Sequence, residues 1–167
     1  TVRTGSGTTL SADRVVVAAG GRPRGLAVAG LQEADPTRGV HTSDTVMRME
    51  SVPARVAVVG GGYIAAEFAH VLASYGARVV WIHRGSRLLD REESAVAERF
   101  TALAGGRFDV RLGTVVTSAR HDNGVWRLRL GDAEGSEAGD LQDADPSPAE
   151  HLHEPPVSRT AELEVDA

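Results

Sequence analysis

Cysteine is absent from the 167 residues, and so is lysine. Without cysteine there is no disulfide and no thiolate metal site in this sequence, which excludes a disulfide-stapled scaffold. No apolar run is long enough to cross a bilayer and no secretory signal is visible, so we expect a cytoplasmic protein without a membrane partner. Aromatic residues make up only 4% of the chain and are not interleaved with basic residues, so no nucleic-acid surface is expected.

Charge is distributed unevenly along the chain. Residues 1–130 contain 17 arginines and 12 acids, a net of +5, whereas residues 131–167 contain 1 arginine and 11 acids, a net of −10. Residues 131–160 are rich in glycine, proline and acids and almost lack large apolar side chains, so we expect an acidic disordered insertion. His151 and His153 lie inside it, but two histidines in such a loop do not predict a metal site.

The most informative stretch is 56–67, VAVVGGGYIAAE. Its apolar run predicts a central strand buried on both faces of a parallel sheet, and the glycines that follow fit G-x-G-x-x-G/A. In such a turn the glycines allow a tight bend and the close approach of a pyrophosphate, and the next helix points free N–H groups at the phosphates. The residues expected to contact a dinucleotide here are Gly60, Gly61, Gly62, Tyr63, Ile64 and Ala65.

Apolar periodicity extends this strand and turn into a nucleotide-binding sheet. A first helix follows Gly62 and ends at Gly76, and residues 79–82 and 108–112 supply two more strands. A second helix is predicted over 91–104, behind a capping box formed by Asp90 and Glu93. The expected apolar stripes are Ile64, Phe68, Val71 and Leu72 on the first helix, and Ala95, Val96, Phe100 and Leu103 on the second.

The remaining segments read as strands, turns and a linker. Residues 1–4 and 8–10 predict a hairpin, and residues 15–18 predict another buried strand, which ends in AAGGRP. A short helix is expected to start at Ser43 or Asp44 and run through Glu50. Hairpin strands with one wet face are predicted at 115–120 and 125–130, turned at Asp122-Asn123-Gly124, with a return strand at 163–165.

The residues that follow strand 79–82 bear on the choice of cofactor. NAD-binding sheets place an acid about 20 residues past the glycines, where it bonds the ribose 2′-hydroxyl. Here the equivalent positions hold His83 and Arg84, with Arg87 just beyond. A guanidinium binds a 2′-phosphate with paired hydrogen bonds, whereas a carboxylate repels it, so NADP is favoured over NAD. The alternative is that these are ordinary solvated arginines.

The order of these pieces resembles the flavin-dependent pyridine nucleotide-disulfide oxidoreductases, the group of glutathione reductase and lipoamide dehydrogenase. In that family a strand ending in A-T-G-x-x-P lies near the flavin, and AAGGRP fills its place here, with alanine for threonine. The resemblance implies that Ala18, Ala19 and Gly20 lie beside FAD. It also implies that Tyr63 covers the nicotinamide pocket and that Glu67 reaches the nicotinamide and flavin region.

The resemblance also implies a fold class and a domain organisation. The fold is expected to be α/β, a Rossmann-like NAD(P)-binding domain with a parallel sheet and a β-hairpin/meander layer, plus the closing strands of an FAD-binding domain. The expected boundaries are 1–24 for the end of the first FAD-binding segment, 25–40 for a crossover linker and 41–167 for the NAD(P)-binding domain. Residues 131–160 are the insertion in that last domain.

The implied function is hydride transfer from NADPH to FAD and then to a low-molecular-weight disulfide. The segments HTSDTVM (41–47) and YIAAEFAHVL (63–72) are most similar to the mycothione reductase branch of the family. The family's first G-x-G-x-x-G, its redox C-x-x-x-x-C and its interface domain with the catalytic histidine are not in this sequence. We therefore expect a fragment without catalytic residues, which alone binds at most a dinucleotide and whose parent protein homodimerises through a C-terminal domain.

Two alternatives remain open at this point. One is a lipoamide dehydrogenase-like flavoenzyme that uses NAD, which an acid at the end of strand 79–82 would have favoured. The other is a non-catalytic nucleotide-binding module or remnant.

Overall fold

The computed structural model describes residues 1–31, 34–133 and 161–166. In chain order these residues form β1 (Val2–Arg3), β2 (Thr9–Leu10), 3₁₀ turns at Pro36–Arg38 and Val46–Arg48, β3 (Arg55–Val59), α1 (Tyr63–Ser74), β4 (Arg78–Ile82), α2 (Ser94–Gly105), β5 (Asp109–Arg111), β6 (Thr114–Asp122), β7 (Val125–Asp132) and β8 (Ala161–Asp166). Neither helix in these ranges has the length and hydropathy needed to cross a bilayer. The predicted acidic insertion lies outside the described residues from 134 to 160, whereas its first two residues belong to β7.

A parallel sheet in the order β3-β4-β5 confirms the three predicted strands and their parallel arrangement. Val58 stands opposite Trp81 in β4, and Trp81 stands opposite Val110 in β5. The central strand is therefore β4, whose last four residues are buried, and the expectation that β3 is the central, doubly buried strand is wrong. β3 lies at the edge of this sheet and is only half-buried, with Val59 36% exposed, because the described strands give it a parallel neighbour on one side alone.

Both helices form close to their predicted bounds but bury different faces from those expected. On α1, Ala69 and Leu72 are buried, whereas Ile64 and Val71 are 42% and 37% exposed. Small alanines allow a helix to lie close to a sheet, so the alanine-lined face of α1 is the one that packs. The predicted stripe therefore held for Leu72 and for Phe68, which packs beside the core, and was wrong for the other two residues.

α2 shows the same change of face and a different cap. Its buried residues are Ala97 and Ala104. Of the predicted stripe, Phe100 packs against the core, whereas Ala95, Val96 and Leu103 are exposed. The helix begins at Ser94, and the Glu93 carboxylate itself accepts a hydrogen bond from Val96 N at 3.1 Å. The predicted capping box with Asp90 is therefore wrong, because the helix starts later than the pattern suggested.

An antiparallel sheet in the order β6-β7-β8 forms the second layer and confirms the predicted meander. The hairpin turns at Asn123 and Gly124, with φ of 50° and 75°, the left-handed pair that a two-residue hairpin turn requires. On β7 the side chains of Trp126, Leu128 and Leu130 are buried and form a core with Val165 of β8, so the predicted wet and dry faces are confirmed.

Residues 28–31 and 34–40 belong to the predicted crossover linker 25–40, and they lie against this antiparallel sheet. Ala119 N donates to Ala29 O at 2.8 Å, and the Trp126 indole Nε1 donates to Arg38 O at 2.7 Å. Gly30 lies against the carbonyl of Ala119, where no side chain would fit. The described residues of this connection therefore pack against the antiparallel sheet. The predicted domain boundaries stay a prediction.

The two layers are joined by an ion pair between β3 and β8. The Arg55 guanidinium donates to Asp166 Oδ1 through Nη2 at 2.6 Å and through Nε at 3.1 Å. The backbone N of Arg55 also donates to Asp166 Oδ2 at 2.9 Å. The Asp166 carboxylate therefore accepts hydrogen bonds from both the backbone N–H of Arg55, at the edge of the parallel sheet, and the Arg55 guanidinium.

The first 27 residues differ from this layered part. The predicted hairpin is confirmed, since Val2 pairs with Leu10 and Arg3 with Thr9. Residues 15–18, however, form no strand, and Val16 and Val17 are 88% and 86% exposed, so the prediction of a buried strand is wrong. A strand requires a hydrogen-bonded neighbour, and no strand in the described ranges pairs with this run.

A second local expectation is also corrected. Val46–Arg48 forms a 3₁₀ turn where a helix through Glu50 was expected, and its first flanking residue, Thr45, makes no side-chain cap. Neither Ser43 nor Asp44 caps the turn, because the turn starts after them.

Candidate functional site

The loop between β3 and α1 is fixed by three hydrogen bonds. Gly60 N donates to Ile82 O at 2.9 Å, and Leu89 N donates to Gly61 O at 2.7 Å. The buried indole of Trp81 donates through Nε1 to Gly60 O at 2.6 Å. Gly60 has φ of 131°, a conformation that favours glycine. The loop is therefore held by the neighbouring strand and the segment that follows it, and its geometry is set before any ligand arrives.

The first turn of α1 presents unpaired backbone amides. The first intrahelical hydrogen bond runs from Ala66 N to Gly62 O at 3.1 Å, so the amides before Ala66 have no partner within the helix. Gly62 is the N-cap and provides no side-chain acceptor, and a Cβ built there meets nothing within 4 Å. The positive end of the helix dipole and open space thus coincide, which suits an anion.

Close packing of the helix on the strand explains the third position of the glycine pattern. A Cβ built on Gly60 lies 3.8 Å from the Cβ of Ala65, an ordinary van der Waals contact. A larger side chain at Ala65 would push the start of α1 away from β3. The small residue therefore keeps the amides of the first turn beside the loop.

His83 follows β4 and lies beneath the loop. Its side chain is buried, and its ring occupies the space that a Cβ on Gly61 would need. Burial lowers the pKa of His83, which the Asp90 carboxylate partly offsets. The placement of His83 at the ribose end of a dinucleotide stays a prediction; in the structure its ring lies against Gly61 and Gly85.

Arg84 and Arg87 leave the same end of the sheet as the loop, because the carboxyl ends of parallel strands share one edge and Val59 stands opposite Ile82. Arg84 is exposed. Arg87 is half-buried and its Nη1 lies 3.7 Å from Glu98 Oε1 on α2. Arg84 is therefore the basic side chain of this pair that stays available to a ligand without breaking an ion pair.

The backbone that carries Arg84 is held firmly from the neighbouring strands. His83 N donates to Arg111 O at 2.9 Å, and Thr114 N donates to His83 O at 3.0 Å. Gly113 N donates to Gly85 O at 2.9 Å on the other side of Arg84. A basic side chain on such a fixed support loses little backbone entropy when it binds an anion.

The other predicted site residues are exposed to solvent. Tyr63 is 65% exposed and Glu67 is exposed, both on α1. Ala18, Ala19 and Gly20 are exposed and lack regular structure. Within the described residues no hydrogen bond joins these last three residues to the glycine loop. The structure therefore brings together the loop, the start of α1 and the end of β4, and leaves the N-terminal turn apart.

Two supporting contacts were not foreseen from the sequence. The sequence places Trp81 in the strand 79–82, near the predicted adenosine end of the site, but does not reveal that its indole donates to Gly60 O. Leu89 adopts a φ of 54°, unusual for a residue with a branched side chain, and its N–H holds Gly61 O. The aromatic residue in a buried strand was a usable signal, because a buried indole N–H requires an acceptor. No sequence pattern marks Leu89.

Comparison with known proteins places this geometry in context. A family model described as pyridine nucleotide-disulphide oxidoreductase matches residues 1–143. Mycothione reductase of Mycobacterium tuberculosis is 42% identical over 133 residues, which cover 78% of this chain and 28% of that protein. Glutathione reductase of Burkholderia cepacia is 35% identical over 131 residues, which cover 77% of this chain and 28% of that protein.

A solved structure is similar at a lower level. The Cu(II) complex of the HOCl-induced flavoprotein disulfide reductase RclA from Escherichia coli matches with a TM-score of 0.49 at 23% identity, covering 73% of this chain and 22% of that one. The chain therefore spans only about a quarter of the length of the proteins that it matches, 28% for both curated relatives.

Proposed function

Because the chain belongs to the pyridine nucleotide-disulphide oxidoreductase family, as its residues predicted, we propose that residues 41–167 are the NADPH-binding part of a flavin-dependent disulfide reductase. The single observation that carries the proposal is the fixed Gly60–Gly62 loop, which opens onto the unpaired amides of α1 beside the exposed Arg84. The family uses FAD and a pyridine nucleotide. The choice of NADPH over NADH is the part that rests on Arg84.

The loop fits the pyrophosphate of a dinucleotide. The space beside Gly62 is open, and the amides that precede Ala66 lack intrahelical acceptors. In the proposed complex these amides donate to the phosphate oxygens, while the dipole of α1 favours their negative charge. Gly60, Gly61 and Gly62 supply the close backbone approach.

Arg84 is proposed to bind the 2′-phosphate of the adenosine ribose. A guanidinium on the fixed end of β4 can donate paired hydrogen bonds to a phosphate. Arg87, which is paired with Glu98, is proposed to add positive charge near the same phosphate. When bound, NADPH supplies the hydride that this family passes on through FAD. Tyr63 and Glu67 are proposed to face the nicotinamide from the exposed side of α1.

The residues predicted to lie beside the flavin do not form a cradle for it. Ala18, Ala19 and Gly20 are exposed and follow a run of valines that no described strand pairs with. We therefore derive no step through FAD from this chain. Residues 1–24 remain proposed as the end of an FAD-binding segment and residues 25–40 as the connection from it.

The activity of the whole protein is a further proposal, because the chain spans 28% of its curated relatives. We propose a cytoplasmic homodimeric reductase that transfers reducing equivalents from NADPH to a low-molecular-weight disulfide. The identity to mycothione reductase supports mycothione as that disulfide. No residue of this chain is assigned a role at the substrate.

Calorimetric titration of the 167-residue chain with NADPH and with NADH tests the proposal. Arg84→Ala should weaken NADPH binding about tenfold or more, since a hydrogen bond to a charged group is worth about 1.5–3 kcal/mol, and should leave NADH binding nearly unchanged. Arg78→Ala is the matched control, because Arg78 is exposed at the opposite end of the same strand. Equal losses for both dinucleotides would refute the role of Arg84.

A further inference from the structure

His83 occupies a slot that two glycines create. A Cβ on Gly61 would overlap the imidazole ring, and a Cβ on Gly85 would lie 2.5 Å from its Nε2. Neither glycine requires a left-handed φ, so backbone conformation does not explain why these positions lack a side chain. The His83 ring explains why glycine stands at both positions, because it occupies the space that a Cβ at either residue would need.

The ring is buried with an incomplete set of partners. Its exposed fraction is 8%, and its Nε2 has no hydrogen-bond partner among the described residues. Asp90 Oδ2 is the nearest carboxylate oxygen, 3.7 Å from Nε2, and Arg84 is the neighbouring cation. From β5, Arg111 gives only its carbonyl to His83 N and turns its guanidinium to Asp109 at 2.7 Å. Among the described residues, two groups would therefore stabilise a proton on the ring and raise the pKa of His83: the Asp90 carboxylate and the backbone of Arg87.

We infer that His83 is a positioning residue for the proposed dinucleotide loop, its ring setting the place of Gly61 and its charge adjusting the affinity of the loop for phosphate. This inference rests on the proposed function for its ligand, and on the packing of Gly61 and Gly85 for its geometry. His83 acts through Gly61, whose carbonyl is fixed on the other side by Leu89 N.

The charge of His83 is coupled to the ligand by linkage. Burial lowers the pKa of His83 below its usual value of 6.5, which favours the neutral ring in the free protein. A pyrophosphate bound above Gly61 favours the protonated ring, because opposite charges attract across the thin glycine backbone. Binding therefore raises the pKa of His83, and affinity must increase as the pH falls toward that pKa.

A double-mutant cycle tests the geometry without any ligand. Gly61→Ala should lower the midpoint of urea unfolding, because its methyl group overlaps the ring. The double variant Gly61→Ala with His83→Ala should unfold at a higher urea concentration than the sum of the single changes predicts, because the ring that clashes is gone. Gly105→Ala is the control, since a Cβ there meets nothing within 4 Å. Strict additivity of the two changes would overturn the inference.

The dependence of affinity on pH tests the charge. NAD⁺ is the probe, because it is stable in acid and has no 2′-phosphate to titrate. Between pH 7.5 and pH 5.5 the chain should bind NAD⁺ severalfold more tightly, His83→Asn should lose this change, and Asp90→Asn should move it to lower pH. A merely structural histidine would leave the pH profile of the two variants identical to that of the unaltered chain, and that result would overturn the inference.

Failure of this inference and failure of the proposed function are distinguishable. If the chain binds no dinucleotide but the unfolding cycle shows coupling between Gly61 and His83, the proposed function is refuted and the packing of His83 against Gly61 is supported. If the chain binds dinucleotides with additive unfolding and an unchanged pH profile in His83→Asn, the proposed function stands and the inference falls.

Discussion

Two valine runs in this chain have the same composition, three valines and one alanine, and opposite structures. Residues 15–18 read VVVA and residues 56–59 read VAVV. The first run is exposed and forms no strand, whereas the second is part of β3 and pairs in parallel with β4. β-branched residues favour an extended backbone, but pairing and burial decide whether a strand forms. The second run has a neighbour among the described strands and the first has none.

The same difference applies to the proposed function. The Gly60–Gly62 turn at the end of the paired run is fixed by hydrogen bonds to Ile82, Trp81 and Leu89. The Ala18–Gly20 turn at the end of the unpaired run has no such support in the described part of the chain. The turn that we propose as the binding site is therefore the one whose preceding strand is anchored.

Removal of the anchor of the paired run has the largest expected effect. Trp81 is fully buried, lies edge-on to Phe100 and Phe108 at 6.1 and 5.8 Å between ring centroids, and stands opposite Val58. Trp81→Ala should lower the free energy of unfolding by about 3–5 kcal/mol, the usual cost of removing a buried aromatic residue. Urea denaturation measures the loss.

The Trp81→Ala variant should also make the two valine runs alike in the hydrogen exchange of their backbone amides. Hydrogen exchange of the backbone amides of 55–59 should then approach the fast exchange expected for 15–18. If 55–59 stays protected in Trp81→Ala, the Trp81 side chain is not what anchors the paired run.

A matched pair of substitutions sharpens the comparison at moderate cost. Val58 is half-buried and packs against the cluster that contains Trp81, whereas Val16 is 88% exposed. Val58→Thr should cost about 1–3 kcal/mol, because its hydroxyl loses water without gaining a partner. Val16→Thr should stay within about 0.5 kcal/mol of the unaltered chain. Equal shifts in the urea midpoint would contradict the assignment of only one run to the core.

The smallest expected effect concerns the ion pair that ties β3 to β8. The hydrogen bonds from Arg55 hold the pKa of Asp166 below its usual value of 3.8. Because an unfolded chain takes up this proton first, the stability from the pair is present above about pH 4 and is lost as the pH falls through the lower pKa of the folded state. Loss of the pair in acid should lower Tm by a few degrees at most, because solvent screens an ion pair whose Asp166 side chain is 28% exposed.

Thermal unfolding from pH 6 to pH 2.5 measures this contribution. Asp166→Asn should flatten the acid limb of the profile, whereas Asp44→Asn, a change at an exposed carboxylate, should not. An acid limb that is the same in Asp166→Asn and in the unaltered chain would contradict the role of the pair.

The sequence predicted those elements whose signals are local. Asn123-Gly124 fixed a hairpin turn through its left-handed backbone, and the glycines at 60 and 62 marked the strand-to-helix turn. Helical periodicity located both helices but only part of their buried faces, because alanines such as Ala69 and Ala97 pack closely while contributing weakly to an apolar pattern.

The features that the sequence did not predict depend on the third dimension. Which strand is central depends on strand order, which the spacing of apolar runs does not encode, so β3 was placed wrongly. The burial of His83 under Gly61 and the bond from Leu89 N to Gly61 O join residues about 22 to 28 positions apart, a range at which local propensity is silent. Both contacts act on the candidate site itself.

The most direct test of the account is a set of amide NMR spectra of the uniformly ¹⁵N-labelled chain during titration with NADPH. The account predicts that the amides of Gly61, Gly62 and Tyr63 shift most, that Arg84 follows, and that Gly20 and Gly21 stay in place. Shifts concentrated at Gly20 and Gly21, with the loop at Gly60–Gly62 unmoved, would contradict the claim that the anchored half of the chain holds the dinucleotide.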